Sequence, residues 1–154
     1  IDALGQQTKI ELRIPALIPE DYIGDVNVRL SLYKKLASCR TEDDIDDYQI
    51  ELIDRFGLLP ESTKNLVKQA HLKLIAERLS ISKIEFTETG GVIEFNQDTK
   101  VDPGYLIQLI QTKPKEYRFD GPQRLRVVHK TTANAQRLEL VHSLLENFMK
   151  ESNV

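Results

Sequence analysis

Hydrophobic periodicity along this chain predicts an α+β fold, with a helical cluster first and antiparallel β-hairpins alternating with helices after it. Between Asp25 and Ile75 apolar residues recur at helical spacing. From Ile84 to Phe95 they alternate instead. The alternating runs are joined by short glycine-containing turns, and strands joined that tightly pair antiparallel, which argues against a parallel doubly wound sheet.

The elements follow in order. Thr8 to Ile14 alternates, with Ile10, Leu12 and Ile14 on one face, so it is predicted to be a half-buried strand that Pro15 ends. Pro19 to Gly24 is a loop. Asp25 is an N-cap for a helix through about Ser38, with Val28, Leu32 and Leu36 as its core stripe. Thr41 and Asp44 form a capping box in which an acid replaces the usual Glu or Gln. The helix they open carries Ile45, Tyr48, Leu52 and Phe56 inward, and Gly57 suits the left-handed position after its end. Pro60 fits the first position of a third helix, whose inner face is Leu66, Val67, Ala70, Leu74 and Ile75.

A hairpin follows, turning at Thr89-Gly90-Gly91 with Ile84, Phe86, Ile93 and Phe95 on one buried face. Asp102-Pro103 opens a short helix marked by Leu106, Leu109 and Ile110, and Lys113-Pro114 stops it. Tyr117 and Phe119 pair with Leu125 and Val127 across Asp120-Gly121-Pro122, all four expected in the core. A last helix starts at Thr131 or Thr132 and runs to about Met149, with Leu138, Val141, Leu145 and Phe148 in register and a frayed end from Glu151.

With 154 residues, 40% hydrophobic and 29% charged, the chain suits one globular domain over 1–154, and no linker divides it. No apolar run approaches the roughly 18 residues a membrane span needs. The start, Ile1 to Gln7, is not a signal peptide and carries no initiator Met, which reads as a fragment of a longer protein. Cys39 is the only cysteine, so a disulfide framework is excluded and a reducing, cytoplasmic setting is expected. His71, His129 and His142 lie far apart and outside any metal-ligand spacing, so no metal and no cofactor are expected. No phosphate-binding loop and no G-x-S-x-G are present, and no catalytic residue is assigned. The net charge of −3 argues against a dedicated nucleic-acid binder.

Two charged features stand out. Glu42, Asp43, Asp44, Asp46, Asp47, Glu51 and Asp54 form an acidic run with no Lys or Arg between them. Its ordinary reading is a solvated helix face; its sharper reading is a docking surface for a basic partner. Glu51 and Asp54, three residues apart, share a helix edge where both carboxylates can accept an Arg or Lys from another surface. The second feature is basic: Arg118, Arg124, Arg126 and Lys130, with Arg124 and Arg126 on the same side of a strand. A solvated sheet face is again the ordinary reading, and nucleic-acid contact through Arg124 and Arg126 is the functional alternative. A small enzyme would require a pocket with a perturbed acid or His, which no motif indicates.

Several stretches together resemble the C-terminal domain of bacterial transcription-repair coupling factors. They are Leu17 to Ile23, Asp25 to Leu30 with Tyr33-Lys34, Glu51 to Pro60, Gly90 to Phe95, and Tyr117 to Pro122. Their order and approximate spacing match over nearly the whole chain. Gly24 departs from the family, in which proline is common at that place. The resemblance implies an ATP-driven DNA translocase as the full-length parent, which displaces stalled RNA polymerase and recruits the excision-repair protein UvrA. It implies that this domain is a clamp on the parent's UvrA-binding module, hiding the UvrA surface until the motor engages polymerase. It also implies that the E-L-I-D segment contributes to that clamp, so Glu51 and Asp54 carry over as interdomain contacts. DNA, on this reading, is bound by the motor, and no membrane is involved.

Overall fold

The computed structural model describes residues 7–154. Its elements run β1 (Lys9–Glu11), α1 (Val26–Ala37), α2 (Glu42–Phe56), α3 (Glu61–Arg78), β2 (Ile81–Thr87), β3 (Gly90–Phe95), α4 (Pro103–Thr112), β4 (Tyr117–Phe119), β5 (Arg124–Val128) and α5 (Asn134–Glu151). The class is α+β, as the periodicity predicts. The chain divides into two compact units, one spanning Ile14–Leu74 and the other formed by Ile75–Val154 with the described residues up to Arg13.

The helical unit is built by its caps. Asp25 accepts hydrogen bonds from the Asn27 and Val28 amides and starts α1. Thr41 accepts from the Asp44 amide while the Asp44 carboxylate accepts from the Thr41 amide, so the acid variant of the capping box is fully formed. Those amide hydrogen bonds, the Arg40 amide first, hold the Asp44 carboxyl below the usual carboxylate range. Ile18, Ile23, Leu32, Leu36, Ile45, Tyr48, Leu52, Leu59 and Val67 form one core, with Val28, Phe56, Leu66, Ala70 and Leu74 packed around it. Buried polar groups are satisfied: the Tyr48 hydroxyl donates to the Leu32 carbonyl at 2.9 Å. Thr63 and Asn65, both buried, donate to the carbonyls of Leu17 and Pro15 and fix the segment that leads into the unit. Two boundaries differ from expectation. Pro60 stands just before α3, its carbonyl accepting from the Lys64 amide at 2.9 Å, so it caps the helix instead of opening it. Gly57 has the expected positive φ, 93°, but its ψ of −170° lies outside the left-handed helical region, because the chain leaves α2 extended toward Leu58.

The second unit is a five-stranded sheet in the order β1-β2-β3-β5-β4. Both hairpins are antiparallel, whereas β1 pairs with β2 in parallel, Ile10 opposite Ile84, so the sheet is mixed. The first strand is also shorter than its alternation suggested: Arg13 takes φ of 57° and turns the chain away after Leu12. One sheet face carries Ile84, Phe86, Ile93, Phe95, Leu125, Val127 and Tyr117, all buried as expected. Phe148 of α5 meets Phe95 edge-on at 6.1 Å and Tyr105 of α4 at 6.2 Å, which seats both helices on this face.

Three local expectations need correction. The first hairpin reverses through Glu88 and Thr89, and Gly90 and Gly91 lie inside β3. Gly90 is required there by its φ of 134° and because a Cβ would stand 2.1 Å from the Val127 carbonyl oxygen. Phe119 is 46% exposed, since it ends the edge strand where the chain enters the turn. The C-terminus is held: Ser152 Oγ accepts from the Asp102 amide at 2.8 Å and the Val154 amide donates to the Met149 carbonyl at 3.0 Å.

Candidate functional site

The face of α2 that bears Glu51 and Asp54 is set by the same periodicity that buries Leu52. Successive residues of an α-helix are rotated by about 100°. With Leu52 pointing to the core, Asp54 therefore stands about 160° away, near the outward pole, and Glu51 about 100° away, on the flank. Asp54 is exposed and makes no ion pair or side-chain hydrogen bond among the described residues. Glu51 is different. One of its oxygens is paired with the Lys35 ammonium of α1 and the other accepts from the Arg55 guanidinium at 2.8 Å, leaving its side chain 27% exposed. The Lys35 and Arg55 hydrogen bonds hold its carboxyl below the ordinary glutamate range.

The acidic run is thus partly neutralised from within. Glu42 pairs with His71 of α3, and Asp44 is committed to the cap. Asp43, Asp46, Asp47 and Asp54 remain exposed and free of ion pairs among the described residues. Sequence reasoning placed the carboxylates but missed Lys35, which lies 16 residues from Glu51 on another helix. Arg55 was missed as well, although its i+4 spacing from Glu51 is a signal for such a pair.

Arg124 and Arg126 do share the open face of the sheet, with Arg118 opposite Arg126. Each sits beside an acid: Arg124 Nε is 3.5 Å from Glu94, and Arg126 is bidentate on one Asp120 oxygen at 2.7 and 3.2 Å. The Arg126 hydrogen bonds hold the Asp120 carboxyl low. No aromatic residue of these two strands joins the arginines on that face: Phe119 projects on the opposite one with Leu125, and Tyr117 is buried. The face is therefore a mixed surface rather than a basic track.

Chemistry elsewhere is weakly supported. A depression of about 520 Å³ at the end of β3 is lined by Ser82, Glu94, Asn96, Gln123 and Arg124, and its acid is the partner of Arg124. Burial, and then Asp44, push the Cys39 thiol up, away from thiolate reactivity. Among the described residues no cluster of three His, Cys, Asp or Glu is placed to hold a metal, and no helix is long and apolar enough to cross a membrane.

Comparison with known proteins bears on family and fold. The family model for the TRCF domain matches residues 12–106. Over 97% of its length the chain is 46% identical to a transcription-repair-coupling factor of Escherichia coli (strain K12), of which the match covers 13%. A Haemophilus influenzae transcription-repair-coupling factor is 49% identical over 91% of the chain, and 12% of that protein is covered. The chain thus spans about an eighth of the length of these curated relatives. Among solved structures, a crystal structure of the C-terminal domain of a transcription-repair coupling factor superposes with a TM-score of 0.79. It covers 96% of this chain and 94% of that one at 20% identity, a likeness of fold.

Proposed function

The chain belongs to the transcription-repair coupling factor family, as its TRCF domain, and from that premise we propose that it acts as a single, non-catalytic autoinhibitory domain. In this reading it packs on the UvrA-binding module of a longer parent and masks the UvrA surface. The mask opens when the parent's ATP-driven DNA translocase engages stalled RNA polymerase, and the whole works in the cytoplasm in transcription-coupled nucleotide excision repair. ATP, DNA and polymerase are handled by the rest of the parent. Glu51 and Asp54 of α2 are the interdomain contacts.

The observation that supports this most is the outward face of α2, where Asp54 stands exposed beside Asp46, Asp47 and a half-exposed Glu51. An exposed ion pair contributes only about 0.2–1 kcal/mol. Tethering compensates, because two modules of one chain see each other at an effective concentration on the order of millimolar. An interface of about 0.1 mM affinity would then be closed roughly ten to one. Glu51 already has two internal cations, so an external Arg or Lys must share its carboxylate, whereas Asp54 has no ion-pair partner among the described residues.

The direct test is a titration of this chain against the isolated UvrA-binding module. Binding near 0.1 mM that weakens as salt rises supports the reading. No binding at millimolar concentrations of a folded module overturns it.

A further inference from the structure

Helix α1 carries two apolar stripes, where a surface helix packed on a single core needs one. Val28, Leu32 and Leu36 form the inner stripe and pack in the core of the helical unit. Counted from Leu32 at about 100° per residue, Val26, Leu30, Tyr33 and Ala37 fall together, about 100–160° around the helix. Val26 and Leu30 are each 53% exposed, Tyr33 is half-buried and Ala37 is exposed. The Tyr33 hydroxyl accepts from the Ile18 amide at 2.7 Å, which anchors the neighbouring Leu17, itself 43% exposed, beside this outer stripe. Lys35 falls about 60° to the other side of Leu32, where it pairs with Glu51 of α2, so the outer stripe faces away from α2. A single exposed apolar residue is ordinary. Four at helical spacing along about 16 Å of one helix form a packing face.

The charges bordering that face are positive, and α1 contains no Asp or Glu. Arg29 lies about 60° from Leu32, at one border, and Lys34 about 200° from it, at the other. Neither pairs with a carboxylate among the described residues. Arg29 Nη1 donates to the Ile23 and Gly24 carbonyls at 2.7 and 3.1 Å, which satisfies the donor and leaves the charge. Asp25, the nearest acid in sequence, is committed to the α1 cap. Lys34 suits the helix dipole at the C-terminal end, whereas Arg29 stands in the other half of the helix, where the dipole does not favour a cation.

We propose that the outer stripe of α1 docks an acidic amphipathic helix of a separate protein. One column of apolar side chains is the seam a single partner helix covers with residues at i, i+3, i+4 and i+7. Glu or Asp on the flanks of that helix would meet Arg29 and Lys34. A second copy of the chain fits worse, because pairing α1 with α1 about a two-fold axis sets basic border against basic border. The patch of partly exposed side chains is also well below the roughly 800 Å² per partner of a stable dimer, and it suits a transient contact. Since the stripe faces away from α2, a module held at α2 leaves it uncovered, and docking here does not depend on the α2 lock.

The test is an amide NMR titration of this chain with a synthetic Ala-based helical peptide of about 18 residues, carrying Leu along one face and Glu on both flanks. The same peptide with Lys in place of Glu is the control. The Glu peptide should shift the amides of α1 and Leu17 and bind at least about tenfold more tightly than the Lys peptide, by a margin that shrinks as salt rises. Val26→Ser with Leu30→Ser should weaken binding about tenfold or more at an unchanged melting temperature. Lys34→Glu should narrow the preference for the Glu peptide several-fold. A Glu peptide that fails to bind at millimolar concentration, binds no better than the Lys peptide, or shifts α2 in place of α1 overturns the proposal. Amides of α1 that shift with protein concentration alone make the occupant a second copy and overturn the acidic partner. A serine variant that melts early assigns Val26 and Leu30 to packing and overturns it too.

Discussion

Glu51 is held between two cations, Lys35 of α1 and Arg55 one turn along α2. Its carboxyl sits below the ordinary glutamate range because Lys35 and Arg55 hydrogen-bond to it. A carboxyl depressed on folding stabilises the folded chain above its unfolded pKa of about 4.3, and that contribution is lost as pH falls through the lower folded value. Lys35→Ala with Arg55→Ala should therefore return the Glu51 pKa upward toward its ordinary value, as read by carbon-13 NMR titration of the side chain. An unmoved titration would show that the two cations do not hold it. At Gly90 the constraint is steric. Gly90→Ala places a Cβ against the Val127 carbonyl in a backbone conformation that L-residues avoid, so it should cost about 1–3 kcal/mol in denaturant unfolding.

Arg137 on α5 binds elements distant in sequence. It is 3% exposed and pairs with no carboxylate among the described residues; its guanidinium donates to the Leu12 carbonyl at 2.9 Å, the Arg13 carbonyl at 3.2 Å and Thr131 Oγ1 at 3.1 Å. It thereby pins the end of β1, a three-residue strand held otherwise by parallel pairing at the sheet edge. Arg137→Met would leave those acceptors unsatisfied and should cost about 1–3 kcal/mol, with the earliest loss of amide protection in β1. Equal protection of β1 in the variant would argue against the pin. The helix starts at Asp25, Thr41 and Asp102 were legible because caps are local chemistry. The parallel pairing of β1 was not, since its partner lies more than 70 residues away and the strand itself is short. Arg137 was missed because an arginine reads as solvent-facing, although it falls on the same helical stripe as Val141, Leu144 and Phe148. In the candidate site, the acids were legible from composition, whereas the Lys35 contact needed the tertiary fold.

At the scale of the whole molecule, the proposed role of this chain is interaction. The pure domain should not hydrolyse ATP, because it carries no phosphate-binding loop, and turnover surviving a contaminant control would contradict that. The charges of the proposed lock can be cut without harming the fold, since Asp54 is unpaired among the described residues and the Glu51 pairs are exposed ones worth at most about 1 kcal/mol. Losing about 1.4 kcal/mol of interdomain attraction would bring a ten-to-one closed state near parity. The decisive measurement is UvrA binding by the full-length parent carrying Glu51→Ala and Asp54→Ala, in the absence of polymerase. The expected result is a folded protein that binds UvrA several-fold more tightly than the unaltered parent; a folded double variant that binds UvrA no better would contradict the lock these two residues are proposed to form.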